Sequence, residues 1–224
     1  MLTVFTYFAF HRVASTVIYL SMARPKADYH HGDLKRALLD AAFEILKRDG
    51  HQGLSMRRLA EHSGVSPAAP YRHYADLETL YAELAREGFL LLAAKLARTR
   101  ARFKKNALLQ FRASGIAYVE FAIAHADLFQ MMYGTAIADH ARHPALIAAE
   151  EQAFATLRAI LADCQQANLV RAGDIAEMAT AAWIMVHGMA HLLLGNQVML
   201  RNLGRQRARV LTRQMIEYLY VGLR

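Results

Sequence analysis

Apolar side chains recur every three or four residues along almost the whole chain, and few segments alternate apolar with polar positions. This spacing follows the turn of an amphipathic α-helix, whereas a half-buried strand would have a period of two. Proline, which ends or kinks helices, occurs only four times in 224 residues. The pattern therefore predicts an all-α fold.

The first predicted helix lies between Asp33, which can cap its start, and Gly50, which can end it in a left-handed turn. Ser55 can cap a second helix that runs to about Ser63. The apolar stripe of the first helix consists of Leu34, Leu38, Ala41, Ala42, Ile45 and Leu46.

A long helix is predicted to begin at the cap residue Asp76 and to end in the basic run from Arg98 to Lys105. The clearest loops after it are 140–144 and 168–174. Further helices are predicted at roughly 107–125, 126–133, 145–168, 174–199 and 204–222, with boundaries uncertain by about two to four residues.

The segment 54–74 has the features of a helix-turn-helix. Ala60 is small enough to let two helices approach closely, and Gly64 accepts the backbone angles of a tight turn. Ser66 can cap the third helix, with Pro67 in its first turn. In such a motif the first helix braces the second, which presents its N-terminal residues to base edges in the major groove.

The chemistry of this segment suits DNA. Alanine methyl groups can touch a thymine methyl, and Arg72 can read guanine. Arg57, Tyr71 and His73 are better placed to hold phosphates, which fixes register but does not read sequence. The predicted DNA-binding residues are Arg24, Lys26, Ser55, Arg57, Ser66, Pro67, Ala68, Ala69, Tyr71, Arg72 and His73.

Pro70 is the unusual residue of the motif. If Ser66 is the N-cap, Pro70 is the fourth helical residue, and its missing N–H removes the first helical hydrogen bond. We therefore expect a short or irregular recognition helix. Tyr74, in contrast, is predicted to be a core residue.

The positive charge is uneven along the chain. The formal net charge is +8, and residues 22–105 contain 16 Lys and Arg against 10 Asp and Glu, whereas residues 106–224 contain 10 against 9. A basic first part joined to a nearly neutral remainder favours a nucleic-acid-binding module attached to a second unit. The single cysteine, Cys164, fits a core position and a reducing cytoplasm, because it cannot form an intramolecular disulfide.

The first 20 residues are apolar and aromatic, but His11 and Arg12 interrupt them. No basic flank precedes the run, as a signal peptide would require, and a membrane span would have to bury Arg12 near its middle. We expect Met22 to be the natural start and residues 1–21 to be an upstream extension. Detection of residues 1–21 by mass spectrometry of natively expressed protein would contradict this.

Residues 32–84 resemble the N-terminal domain of the TetR family of transcriptional repressors. The resemblance rests on Leu54-Ser55-Met56-Arg57, Leu59-Ala60, Gly64-Val65-Ser66, Tyr71-Arg72-His73-Tyr74 and Asp76-Leu77-Glu78-Thr79-Leu80. The family commonly has a phosphate-binding Lys where this chain has Leu77. The resemblance implies that this contact is missing, although the backbone N–H groups of that helix end can still hold phosphate.

A second resemblance covers the C-terminal part. The segment 182–188, Ala-Trp-Ile-Met-Val-His-Gly, is similar to the TetR subgroup with a Trp-His-Gly signature, together with 126–129 and 143–146. The two resemblances imply an all-helical homodimer that binds a palindromic operator and is released by a small, apolar or aromatic effector. With the start expected at Met22, the predicted division is an extension at 1–21, a helix-turn-helix domain at 22–80, a connecting helix at 81–105 and an effector-binding and dimerisation domain at 106–224.

The C-terminal part also contains candidate ligand-binding residues, because methionine and aromatic side chains line adaptable apolar pockets. Each of them could equally be an ordinary core residue. The candidates are Phe121, His125, Phe129, Met132, Tyr133, Phe154, Trp183 and His187.

Two other classes of protein are alternatives to a DNA-binding regulator. A metal-dependent hydrolase could use His187 and His191, which are four residues apart on one helix face, but no carboxylate accompanies them at metal-ligand spacing. The chain also lacks a phosphate-binding loop and a nucleophile elbow. A membrane-associated protein would be anchored by residues 1–20. We therefore predict a non-enzymatic DNA-binding repressor of the cytoplasm, without metal, cofactor or membrane.

Overall fold

The structure is a computed structural model, and it describes residues 34–195 and 205–224. Asp33, Arg24, Lys26 and residues 1–21 lie outside these ranges, as do residues 196–199 of the helix predicted at 174–199. Within the described ranges the fold is all-α, as predicted. The α-helices there are α1 (Leu34–Asp49), α2 (Met56–Ser63), α3 (Leu77–Arg102), α4 (Ala107–Ala124), α5 (Ala126–Tyr133), α6 (Pro144–Gln166), α7 (Ile175–Leu194) and α8 (Arg205–Leu223).

The ends of the first helices follow from single residues. Gly50 after α1 has φ 68° and ψ −178°. It has the positive φ that favours glycine but not the left-handed helical conformation that we predicted, because its ψ is extended. The Ser55 side chain accepts a hydrogen bond from the Arg58 N–H and caps α2, whereas Gly64 ends α2 in the left-handed conformation. Both of these predictions are confirmed.

Residues 66–73 form a tight turn followed by the 3₁₀ helix Pro70–Arg72 and not an α-helix. The carbonyl of Ser66 accepts a hydrogen bond from the Ala69 N–H, one residue earlier than in an α-helix. Pro70 has no N–H to donate, so the irregularity predicted from this residue is present. No side-chain cap precedes this short helix, so the predicted cap at Ser66 is wrong.

The 26-residue helix α3 connects the first helices to the rest of the molecule. Asp76 caps it, with 2.7 Å from its Oδ1 to the Thr79 N. Gly88 allows close contact with α5, since a Cβ there would lie 2.6 Å from the Met132 sulfur. Arg100 near the end of α3 forms an ion pair with Asp163 of α6 at 2.7 Å. These contacts attach α3 to the C-terminal helices.

The C-terminal helices α4 to α8 pack around a core that is continuous with α3. Cys164 is buried within it, as predicted, and burial raises the pKa of its thiol to about 11. Among the described helices, none is long and apolar enough to cross a membrane.

Candidate functional site

The turn between α2 and α3 presents a cluster of exposed side chains. Tyr74 anchors this turn, because its ring is buried and its hydroxyl donates to the Lys35 carbonyl of α1 at 3.0 Å. Around this anchor, most of the predicted DNA-binding residues are open to solvent. The exposed ones are Ser55, Arg57, Ser66, Pro67, Ala68, Tyr71, Arg72 and His73.

Ala69 is the exception among the predicted base-contacting residues. It is only 8% exposed and belongs to the core. Because the segment forms a turn followed by a 3₁₀ helix, the Ala69 side chain lies inward, beside the buried Pro70. The prediction that Ala69 meets a thymine methyl is therefore wrong for this conformation.

Two adjacent arginines have different environments. The side chain of Arg57 is 85% exposed and forms an ion pair with Glu61 on the same helix at 2.8 Å. The side chain of Arg58 is 42% exposed and lies across the end of α1, where it forms an ion pair with Asp49 at 2.5 Å and donates to the Gly53 carbonyl at 3.0 Å. Arg57 is thus available to a phosphate, whereas Arg58 joins α2 to the end of α1.

A second feature lies between the C-terminal helices and α3. A cavity of about 530 Å³ opens there, within the size range of small-molecule sites. Its described lining is mostly apolar: Phe89, Leu92, Leu96, Phe111, Ser114, Gly115, Tyr118, Met132, Tyr133, Gly134, His140, Ile147, Glu150, Glu151, Ala153, Phe154, Leu157, Ile160, Thr180, Ala182, Trp183, Val186, Ile216 and Leu219.

Half of the predicted ligand-binding residues line this cavity, namely Met132, Tyr133, Phe154 and Trp183. Phe121 and Phe129 are buried in the core, and His125 ends α4 with its ring 4.8 Å from that of Phe121. These three residues do not line the cavity, so the prediction that they are ligand-binding residues is wrong for this cavity. Composition marked them as aromatic, but only packing decides whether a ring faces a cavity or the core.

Tyr118 is the central polar residue that the sequence analysis missed. Its hydroxyl lies 2.8 Å from His187 Nδ1, 3.2 Å from the Tyr133 hydroxyl and 3.3 Å from Trp183 Nε1. Trp183 can only donate, so its N–H occupies one acceptor position of the hydroxyl. Burial raises the pKa of Tyr118 well above its ordinary value, which keeps the hydroxyl protonated.

His187 belongs to this cluster through its contact with Tyr118, but it is not among the residues that line the cavity. Burial, and to a lesser extent the neighbouring His191, lowers the pKa of His187 to about 4. The ring is then neutral at pH 7, and the tautomer of the ring decides whether Nδ1 donates to the Tyr118 hydroxyl or accepts from it. Tyr118 is three residues before the candidate Phe121 and seven before His125, so it lies on the same face of the predicted helix. This spacing is the sequence signal that could have placed Tyr118 among the candidate ligand-binding residues.

The two histidines that suggested a metal site have their ring centroids 4.5 Å apart. His187 Nδ1 is taken by Tyr118, and the described residues contain no group of three or more potential ligands. This geometry gives no support to the metal-dependent hydrolase.

The cavity has few polar groups. His140, Glu150 and Glu151 belong to its lining and are at least partly exposed to solvent, and His140 Nδ1 is 2.9 Å from a Glu150 oxygen. Inside, the hydroxyl of Ser114 is buried and has no hydrogen-bond partner among the described residues. An orphaned buried hydroxyl costs about 1–3 kcal/mol, so it is a candidate contact for a ligand.

These two features define a helix-turn-helix protein with a separate internal cavity, and comparisons with known proteins agree. Residues 38–84 match the model of bacterial regulatory proteins of the tetR family. Residues 111–218 match the model of the tetracyclin repressor-like C-terminal domain. The chain therefore belongs to the TetR family of transcriptional regulators.

Several relatives are similar to this chain. A protein of unknown function from Rhodococcus sp. RHA1 is 35% identical, with a TM-score of 0.76 over 88% of this chain and 99% of that one. The TetR-family regulator PfmR from Thermus thermophilus shares the fold at 21% identity and TM-score 0.63, covering 84% and 98% of the chains. An uncharacterized HTH-type transcriptional regulator of Haemophilus influenzae is 29% identical over 99 residues, which span 44% of this chain and only 48% of that relative.

Proposed function

We propose that the protein is a homodimeric repressor that binds a palindromic operator in the cytoplasm and is released by a small-molecule effector. The observation that carries the proposal is the connection of both features by α3. This helix begins directly after the DNA-facing turn, and its residues Phe89, Leu92 and Leu96 line the cavity. A ligand that shifts α3 would therefore also shift the turn.

The DNA interface in this proposal uses the exposed residues of the turn. Arg57, Tyr71 and His73 hold phosphates, and Arg72 reads a base edge. The N-terminus of α3, where Leu77 follows the cap, can add backbone N–H groups to a phosphate. Arg24 and Lys26 stay predicted contacts of the N-terminal arm. The domain limits at 22–80, 81–105 and 106–224 are likewise part of this proposal.

Dimerisation is proposed for α7 and α8. Five of the eight large apolar side chains that are exposed in the described residues lie on these two helices: Ile184, Leu192, Val210, Tyr218 and Val221. Gly188 lies between two of them on α7, and a Cβ there would meet nothing within 4 Å. A second copy of the chain would cover this surface and place two turns on successive major grooves, about 34–36 Å apart.

A second contact between the two parts supports effector-controlled release. His143, immediately before α6, places its Nε2 3.5 Å from a Glu78 oxygen in the first turn of α3. The short helix His140–Arg142, whose first residue edges the cavity, leads directly into His143. In the proposed mechanism an effector favours the state in which the two recognition segments no longer fit the operator.

The test begins with selection of bound DNA from a random pool, using the chain from Met22. We expect a palindromic site to be enriched and retarded in a gel. The Arg57→Gln variant should weaken binding to all sequences and lower the slope of log K against log salt by about 1 per half-site. Arg58→Gln is the matched control, because Asp49 and the Gly53 carbonyl hold the Arg58 side chain at the end of α1. It should lower thermal stability and leave the slope unchanged. No retardation at low salt would overturn the proposal.

A further inference from the structure

Apart from His140, the charged side chains in the described lining of the cavity are acidic. Its described lining contains the carboxylates Glu150 and Glu151 and neither Lys nor Arg. Glu151 is balanced by Arg158, which lies outside the lining and forms an ion pair with it. Glu150 has only His140 beside it among the described residues, and that ring carries a positive charge only when it is protonated. The uncompensated charge at the cavity edge is therefore negative.

Aromatic rings form much of the wall. A cation over the face of such a ring is attracted by the ring quadrupole, most strongly when it is removed from water. The Tyr133 and Trp183 rings are 6.3 Å apart, and those of Phe154 and Trp183 are 6.5 Å apart and nearly perpendicular. A cation already lies over Phe154, because the Arg158 guanidinium is 5.2 Å from its ring centroid. The Tyr133 and Trp183 rings are therefore the ones that we expect to attract a positive group in the cavity and to repel a negative one.

The third observation is the Ser114 hydroxyl inside the cavity. It is 4% exposed and lacks any hydrogen-bond partner among the described residues. A buried hydroxyl without a partner is rare in proteins, and a ligand atom in the cavity could supply the missing bond.

We propose that the cavity binds an apolar organic monocation, with its positive group toward Glu150 and a hydrogen-bonding group toward Ser114. This rests on the proposed function only in taking the cavity as the effector site. An anionic ligand of the same size is disfavoured, because its charge would be desolvated beside a carboxylate with no Lys or Arg in the described lining to pair with it.

Trp183 makes the proposal directly measurable. It is the only tryptophan of the chain, and it lines the cavity, so its fluorescence reports on occupancy. The probes are tetraphenylphosphonium and tetraphenylborate, two hydrophobic ions of nearly equal shape and opposite charge. We expect the cation to perturb Trp183 with a Kd about tenfold lower than that of the anion.

The Glu150→Gln variant should remove most of this preference. Glu44→Gln is its control, because it makes the same change of charge on α1, away from the cavity, where Glu44 contacts His62. A third probe, (4-hydroxyphenyl)triphenylphosphonium, should bind more tightly than its parent cation. Ser114→Ala should remove only that additional affinity.

Tighter binding of the borate, no binding of either phosphonium, or an unchanged preference in Glu150→Gln would each overturn the proposal. Circular dichroism of each variant verifies that its helices are intact. Failure of the proposed function gives a different result. The cation then still binds near Trp183, but either the protein binds no selected DNA or the DNA stays bound to the protein at saturating cation.

Discussion

At the scale of single residues, the buried polar cluster around Tyr118 is the least ordinary part of the protein. Its hydroxyl has three partners at hydrogen-bond distance. It donates to the Tyr133 hydroxyl and accepts from the Trp183 N–H. The His187 ring, which is neutral because its pKa is lowered to about 4, forms the third hydrogen bond through Nδ1. These bonds hold one wall of the cavity in place.

The cluster predicts a loss of stability in mild acid. The folded-state pKa of His187 is lower than the ordinary value of about 6.5, so the unfolded chain binds a proton first as the pH falls. The contribution of the neutral His187 ring to stability is complete above pH 6.5 and is lost as the pH falls towards 4. On going from pH 7.5 to pH 5, we expect this loss to lower the free energy of unfolding by about 1 kcal/mol, after allowing for solvent screening of a half-buried ring.

Urea denaturation at fixed protein concentration measures this effect. His187→Gln should have a smaller pH dependence than the parent protein, whereas the exposed His51→Gln should keep the parental dependence. His125, whose pKa is also lowered to about 4 by burial and by nearby lysines, contributes in the same direction. An unchanged dependence in His187→Gln would contradict the prediction.

At the scale of elements, the helices could be predicted well from the sequence. The apolar repeat, the cap residues and the turn glycines each act on the few residues around them. Ser55, Gly64 and Asp76 have the roles expected of them. The recognition segment was only partly predictable: Pro70 indicated an irregular helix, but the inward position of Ala69 depends on how the turn packs on the core. Likewise, Phe121 and Phe129 could not be separated from Phe154 by sequence, since all three are apolar rings at helical spacing.

Leu77 offers a prediction for the start of α3. Its side chain is half-buried at the first helical position, beside the turn that we propose faces the DNA. Leu77→Lys should restore a phosphate contact, because the apolar stem can lie on the core while the ammonium group reaches solvent. We expect the slope of log K against log salt to steepen by about 0.9 per half-site, whatever the DNA sequence. Leu77→Gln, polar but uncharged, should not steepen it; equal slopes in the two variants would argue against the contact.

At the scale of the whole molecule, the proposed dimer depends on the exposed apolar surface of α7 and α8. The exposed residues of α7 follow the helix repeat from Ile184 through Gly188 to Leu192, and Tyr218 is 67% exposed on α8. Burying such a surface between two copies removes apolar area from water at about 25 cal/mol per Å². A charge placed at its centre would have to be buried without a partner.

Ile184→Arg should therefore convert the dimer to a monomer, as measured by sedimentation equilibrium, without unfolding the chain, since Ile184 is 59% exposed in the single subunit. Leu109→Arg is the matched control, because it places the same charge at an exposed apolar position of α4 and should leave the dimer intact. The Ile184 variant should also lose affinity for the palindromic site while keeping weak binding to a half-site, because each monomer still carries one turn. If the Ile184→Arg protein remained a dimer, the subunit contact would have to lie elsewhere. The exposed surface of α7 would then have no role in binding the palindromic site.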